Sequence, residues 1–455
     1  MPSRRLPGYK FSSPSPIPCF IRFHAVSELA VGHEIAMNLS PPRGTRDFFP
    51  EELRYRNWLF GHFREVARLF AFEEYDAPVV ESEELYTRKA GEEIVDQLYS
   101  FQDKGGRKLA LRPEMTPSLS RLVLQKGGSL ALPLKWFSIP QCWRYERMTR
   151  GRRREHYQWN IDVFGVAEVT AEAEILSVLT TFFSSLGLAP DDVVIKISSR
   201  KILETVLAEA GIADDRFAPV CVLIDKLEKI PREAVEAGMA ELGVTADVID
   251  RILQVASMDS LDAVAASIGE DNDGVRELRQ LLTQAGSYGI GQWLRFDASL
   301  VRGLAYYTGI VFEAADTGAQ LRAICGGGRY DQLLSSFGGK DIPACGFGFG
   351  DAVITELLKD KGLLPQLDQQ VDDVVFPFGA ELRQPAAEVA SRLRSRGRSV
   401  DLVLEDKKMK WAFRHADQVG ASRLVLLAPE EWSRGLVRVH DMATSEERDL
   451  ILADL

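Results

Sequence analysis

The chain of 455 residues is 45% hydrophobic and 27% charged, the balance of an ordinary globular protein long enough for roughly two to four domains. A net charge of -11 excludes an indiscriminate coat for nucleic acid, so any RNA partner must be met by local basic patches. No run approaches the roughly 18 apolar residues that span a bilayer, and no membrane association is expected; five cysteines and six histidines without metal-type spacing predict free thiols and no metal site.

Residues 1–27 carry Arg4, Arg5, Lys10 and Arg22 among serines and prolines. That composition fits a transit peptide for a plastid or mitochondrion. The competing reading is a start placed too far upstream, with initiation at Met37. It suits Glu28 and Glu34 better, and it makes residues 1–37 an N-terminal extension and the address cytoplasmic. Over 50–72, Leu53, Trp58, Leu59, Phe63, Val66, Ala67 and Phe70 recur at helical spacing and predict a long amphipathic helix. Residues 134–146 and 156–164 read as an antiparallel strand pair around the charged loop 147–154. Thr170 then caps a helix whose first turn holds Glu172 and Glu174.

From 200 to 288 strand signals vanish, and helices are predicted at 202–210, 232–242, 246–256, 260–268 and 274–285. Strand character returns at Leu294 and runs through 302–313, 322–325 and 344–350. After a linker at 362–368 the order becomes strand 374–378, helix 382–396, strand 400–404, helix 408–419 and strand 424–427. That alternation predicts a separate α/β unit with a mostly parallel sheet.

Three local patterns suggest chemistry. An extended 302–313 segment would place Arg302, Leu304 and Tyr306 on one face and Tyr307 on the other, ahead of an open turn at Gly326, Gly327 and Gly328 that lets backbone approach a ligand. Gln158 and Asp162 share one face of one strand, roughly 13 Å apart at about 3.3 Å per residue, enough to bracket an amino acid. Arg150, Arg152, Arg153 and Arg154 form a cluster of the kind that binds phosphate or lies in solvent. A second basic patch, Lys407, Lys408, Lys410 and Arg414, has Trp411 available for stacking on RNA bases.

PRGTRDFFPEE (42–52), LRPEMTPSL (111–119), WRYERMTRGRRREHYQWNIDVFG (143–165), LVRGLAYYTGIVFE (300–313) and GGGRYD (326–331) follow one another in this order. Together they resemble the histidyl-tRNA synthetases, class II aminoacyl-tRNA synthetases, from about Asn38 onward. The resemblance implies an α+β protein: an antiparallel-sheet catalytic domain (38–199 and 289–361), a helical insertion (200–288) and an α/β anticodon-binding domain (369–455). It further implies a homodimer that activates histidine with ATP and Mg²⁺, then passes it to the 3′ end of tRNA(His). Attack of a carboxylate on the α-phosphorus needs positioned cations. The resemblance gives that role to Arg144, which grips α-phosphate and carboxylate, and to Arg302, which stands where other class II enzymes place a metal ion. It assigns Glu114, Thr116 and Gln158 to the amino group, Asp162, Tyr307 and Tyr330 to the imidazole, and Tyr306 to the same histidine site. Glu146 and His156 fall on the ATP side, His156 where a phenylalanine often stacks on adenine.

Two departures bear on function. Ala305 replaces a common aspartate, and Val353 stands where an arginine is expected to hold the γ-phosphate, so that either an arginine of 150–154 takes over the clamp or ATP affinity is reduced. A catalytically silent histidine-sensing paralogue, such as the regulatory subunit of ATP phosphoribosyltransferase, is the alternative, although such paralogues generally lack the anticodon domain and degrade RGLxYY. An RNA-binding module without catalysis would leave Glu114, Gln158 and Asp162 without a purpose.

Overall fold

The computed structural model describes residues 38–87, 95–212, 216–227, 230–304, 306–318, 320–369 and 371–455. The N-terminal extension 1–37 and Ala305 lie outside the described residues.

Helix α1 (Pro50–Leu69) starts on a proline whose missing N–H is no loss in a first turn, and it buries Leu59, Phe60, Phe63, Val66 and Ala67 along one stripe. That stripe packs on the main sheet. Its strands are β1 (Glu73–Glu74), β2 (Leu134–Ser138), β3 (Glu155–Phe164), β4 (Val193–Ser199), β5 (Leu294–Phe296), β6 (Ile310–Asp316), β7 (Cys325–Arg329) and β8 (Ala344–Gly350). In space they run β1-β2-β3-β8-β7-β6-β4-β5. The six inner strands pair antiparallel throughout, and only the two short edges are parallel.

Strand β3 shows why the sheet has two different faces. Its odd residues Trp159, Ile161 and Val163 enter the core, where the Trp159 and Phe63 rings stack 4.7 Å apart. Phe63→Ala would cost about 3–5 kcal/mol there, the usual range for emptying a buried aromatic position. Its even residues point to the opposite face.

Several predicted elements are corrected. Residues 134–146 are broken by Pro140, which leaves a separate short strand Gln141–Trp143. Strand 302–313 exists only from Ile310, because Arg302 takes a left-handed φ of 56° that no extended strand accommodates. Gly326, Gly327 and Gly328 are not an open turn; they lie in the middle of β7, paired on both sides. Helix α3 (Thr170–Ser185) is entered from Val169 with no side-chain cap, and Glu172 is instead fully buried against Arg329.

Helix α2 (Thr116–Lys126) follows the LRPEM segment. The predominantly helical stretch after β4 contains α4 (Arg200–Glu209), α5 (Phe217–Ile224), α6 (Arg232–Glu241), α7 (Ala246–Ala256), α8 (Leu261–Ile268) and α9 (Asp273–Ser287). Their buried faces join the same apolar core as the sheet. Helix α10 (Asp351–Asp360) follows β8, and a second sheet begins beyond it. It orders β9 (Asp373–Pro377), β10 (Val400–Leu402), β11 (Arg423–Leu427), β12 (Leu436–Asp441) and β13 (Glu447–Ile451) as β10-β9-β11-β12-β13. With α11 (Arg383–Ser395) and α12 (Met409–Gln418) it builds two apolar clusters of its own. Only β10, β9 and β11 are parallel; β12 and β13 add an antiparallel hairpin, so the sheet is less parallel than expected. The α+β class, with an antiparallel main sheet and a C-terminal α/β unit, is as predicted. No described helix is long and apolar enough to cross a membrane.

Candidate active site

The polar face of β3, the segment leading into α2, the loop after Leu300 and the loop after Trp143 enclose a cavity of about 370 Å³. Glu114, Thr116, Arg144, Glu146, His156, Gln158, Asp162, Arg302, Tyr306, Tyr307 and Tyr330 all line it, so the structure brings together the residues assigned to histidine and to adenylate formation; of the arginine cluster only Arg152 and Arg153 join them. The floor explains the glycines. Added Cβ atoms would collide with the Arg302 guanidinium at Gly326, the Asp162 carboxylate at Gly346 and the Gln158 amide at Gly348. These positions make room for the protein's own side chains.

One end of the cavity is acidic and aromatic. Asp162 is buried, accepts a hydrogen bond from the Tyr330 hydroxyl on Oδ1, and has no partner for Oδ2 among the described residues. Burial pushes its carboxyl up to about 7; the Tyr330 hydrogen bond opposes this and nearby Glu114 adds to it. Glu114 accepts from the Tyr306 hydroxyl at 3.2 Å, and burial raises its carboxyl against the pull of Arg144. The Tyr306 ring lies 5.0 Å from Tyr307 and 5.9 Å from Tyr330, so both tyrosines of the YY pair face the site rather than opposite sides of a strand. Between Gln158 and Asp162 stands Asn160, which accepts from the Gln158 amide at 2.9 Å.

The other end is cationic. Arg144 donates Nε to the Pro113 carbonyl at 2.8 Å, which fixes the side chain at the cavity wall. Arg302 pairs with Glu313 and Arg152 with Glu146, while Arg153 and Arg322 also line the space. His156 is held as a neutral ring, since burial and then Arg144 drive its pKa down to about 3. The rest of the arginine loop points elsewhere: Arg150 bonds Glu356 at 3.1 Å and also pairs with Asp360, and Arg154 covers the Tyr145 ring at 3.7 Å. Val353 packs against Gly151 and presents an apolar side chain to the cavity.

Sequence reasoning missed Asn160, Glu313, Arg322 and Asp225 among the lining residues. Asn160 was findable from the strand period alone, and Glu313 lies within the quoted LVRGLAYYTGIVFE segment. Arg322 and Asp225 carried no local signal. Among the described residues no group of three or more His, Cys, Asp or Glu could hold a metal ion. The cavity suits a molecule with an N–H-bearing ring and an ammonium at one end and a polyanion at the other.

Comparison with known proteins gives the same direction. The family model for histidyl-tRNA synthetase matches residues 44–350, and that for an anticodon binding domain matches 372–455. A histidine–tRNA ligase of Arabidopsis thaliana, described as chloroplastic/mitochondrial, is 56% identical over 419 residues, covering 92% of this chain and 86% of the relative. A histidine–tRNA ligase of Opitutus terrae is 39% identical over 414 residues, covering 90% and 94%. The crystal structure of histidyl-tRNA synthetase from Nostoc sp. PCC 7120 has the same fold, with a TM-score of 0.72 at 24% identity over 92% of this chain and 98% of that one. Matched across most of its length by the family model and by relatives well above 30% identity, the chain belongs to the histidyl-tRNA synthetase family.

Proposed function

We propose that this chain is a histidine–tRNA ligase whose two-ended cavity forms histidyl-adenylate and then transfers histidine to the 3′ end of tRNA(His). The observation that carries this is the convergence of Arg144 and Arg302 on the same cavity as the Asp162–Tyr330 and Glu114–Tyr306 pairs. Asp162, Tyr330 and Tyr307 receive the imidazole, and Glu114, Thr116 and Gln158 the ammonium, with Tyr306 orienting Glu114. A histidine carboxylate oxygen attacks the α-phosphorus of ATP, the bond to the bridging oxygen breaks, and pyrophosphate leaves. Arg144 and Arg302 stabilise the charge that builds in that step. Glu146 and His156 serve the adenine side, with the neutral His156 ring available for stacking. A terminal ribose hydroxyl of the tRNA then attacks the acyl carbon and releases AMP.

Magnesium belongs to the ATP substrate. Glu146 and Glu313 are each already paired with an arginine, so the ion would rely largely on phosphate oxygens and water. The histidine-sensing alternative lacks support, because the RGLxYY arginine and tyrosines and the anticodon-domain match are all present. We assign 38–199 and 289–361 to catalysis, 200–288 to a helical insertion and 369–455 to the anticodon. The separate apolar clusters after the 362–368 linker support that last division. A homodimer is the assembly we favour, on the resemblance of α1 and the strand after it to the family's first motif. The organellar description of the Arabidopsis relative favours a plastid or mitochondrial address over the cytoplasmic one. Histidine-dependent pyrophosphate exchange by the purified protein tests the whole reading. Equal exchange with other amino acids, or none with histidine, would overturn it.

A further inference from the structure

Among its described residues, the loop that carries Arg302 and both site tyrosines forms no helix or strand before Ile310. Besides the Thr308 N–H bond to the Arg329 carbonyl at 2.8 Å, a residue outside the cavity helps to hold it. Arg200, the first residue of α4, is 1% exposed and is not among the lining residues. Its guanidinium donates Nε to the Val301 carbonyl at 3.0 Å, Nη2 to the Arg302 carbonyl at 2.8 Å and Nη1 to the Tyr307 carbonyl at 3.0 Å. Its backbone N–H adds a bond to the Gly309 carbonyl at 3.0 Å. The loop is therefore wrapped around one buried cation, which also lies 6.0 Å from the Tyr307 ring and 5.7 Å from Phe217 at the start of α5.

We propose that Arg200 is a positioning residue for adenylate formation: by gathering these three carbonyls it holds Arg302 in the left-handed turn that lays its guanidinium over Gly326 and beside Glu313. The proposal rests on the catalytic reading given above. A φ of 56° is unfavourable for any residue with a Cβ, so the turn persists only while its surroundings enforce it. Without the cation, three carbonyl dipoles would converge on one another with no donor, and the loop would open. Arg302 would then move by an ångström or so, enough to cost on the order of 10²-fold in rate. Lysine at this position keeps the charge but not the planar fork that reaches three acceptors at once.

The test is a quenched-flow measurement of the histidyl-adenylate burst, whose amplitude counts competent sites and whose rate reports chemistry. Arg200→Lys should keep a full amplitude while the burst rate falls about 10- to 100-fold. In Arg200→Ala, millimolar guanidinium chloride should speed the burst more than equimolar sodium chloride, by refilling the vacated site. A wild-type burst rate in Arg200→Lys, whatever its amplitude, would mean that Arg200 only supports the fold and would overturn the proposal. Absence of a histidine-dependent burst in the wild-type protein would instead overturn the catalytic reading itself.

Discussion

Removal of Arg302 separates its charge from its backbone role, because the two are carried by different atoms. Arg302→Ala deletes the guanidinium that pairs with Glu313 and lies over Gly326, while the carbonyl that accepts from Arg200 remains. Loss of one preorganised group aimed at developing transition-state charge costs about 10²- to 10³-fold in rate, or roughly 2.7–4 kcal/mol. Alanine leaves an L-residue in the left-handed turn, where the strain is about 1–2 kcal/mol, whereas glycine takes a φ of 56° freely. Arg302→Gly should therefore lose the same catalytic factor while relieving the turn strain that Arg302→Ala retains from the wild type. Histidine affinity should change little in either variant, because the Asp162–Tyr330 and Glu114–Tyr306 pairs do not involve Arg302. Single-turnover adenylate formation gives the rate, equilibrium dialysis the histidine affinity, and a thermal melt the fold. A near-wild-type rate in either variant would refute the assignment of Arg302 to the transition state.

Burial raises Asp162 to about 7, so the ligand-free folded chain holds a proton that the unfolded chain releases at about pH 4. The resulting stability is complete below about pH 4 and is lost as pH rises through about 7, so the wild-type Tm should fall relative to Asp162→Asn across pH 5 to 7; parallel Tm curves would refute this. The same substitution should weaken histidine selection, seen as a lower kcat/KM, because an amide presents a donor where the ring needs an acceptor. If the arginine loop replaces the missing γ-phosphate clamp, Arg152→Ala or Arg153→Ala should raise the KM for ATP several-fold. Arg150→Ala should not, since Arg150 is tied to Glu356 and Asp360; no rise at any of the three would remove the loop from the role. A chain ending at Asp368 keeps Leu363 and Leu364 on the main core and the Arg54 bond to the Leu367 carbonyl. It should retain pyrophosphate exchange yet lose tRNA charging by on the order of 10²-fold or more, with a shallower salt dependence of tRNA binding. Full charging by this truncated chain would free 369–455 from the anticodon assignment.

The parts legible in sequence were those where one local period decides everything. In β3 the alternation of Gln158, Asn160 and Asp162 with Trp159, Ile161 and Val163 separates a site face from a core face without further information. Helix α1 was legible for the same reason. Helix α5 was not, since FAPVCVLI combines β-branched residues with a proline and owes its helical form to burial in the shared core. Residues 302–309 were misread as part of a strand because long-range bonds, among them those from Arg200 about a hundred residues earlier, shape the loop, and no window over it contains that cation.

The glycine segments show why a site can be legible while the structure around it is not. Glycine is disfavoured in strands because it offers no side chain to pack, so CGGGR reads locally as a turn. Inside this sheet the argument reverses. Gln158 and Asp162 on β3 need the space over Gly348 and Gly346 of β8, and Arg302 needs the space over Gly326 of β7. A Cβ at any of the three would displace a polar group of the cavity, so the packing demand originates in neighbouring strands and in the Arg302 loop rather than in the glycine segment. The residues that obscure the strands are thus a consequence of the site, and a glycine run beside a strand with an alternating polar face is better read as a cavity floor than as a turn.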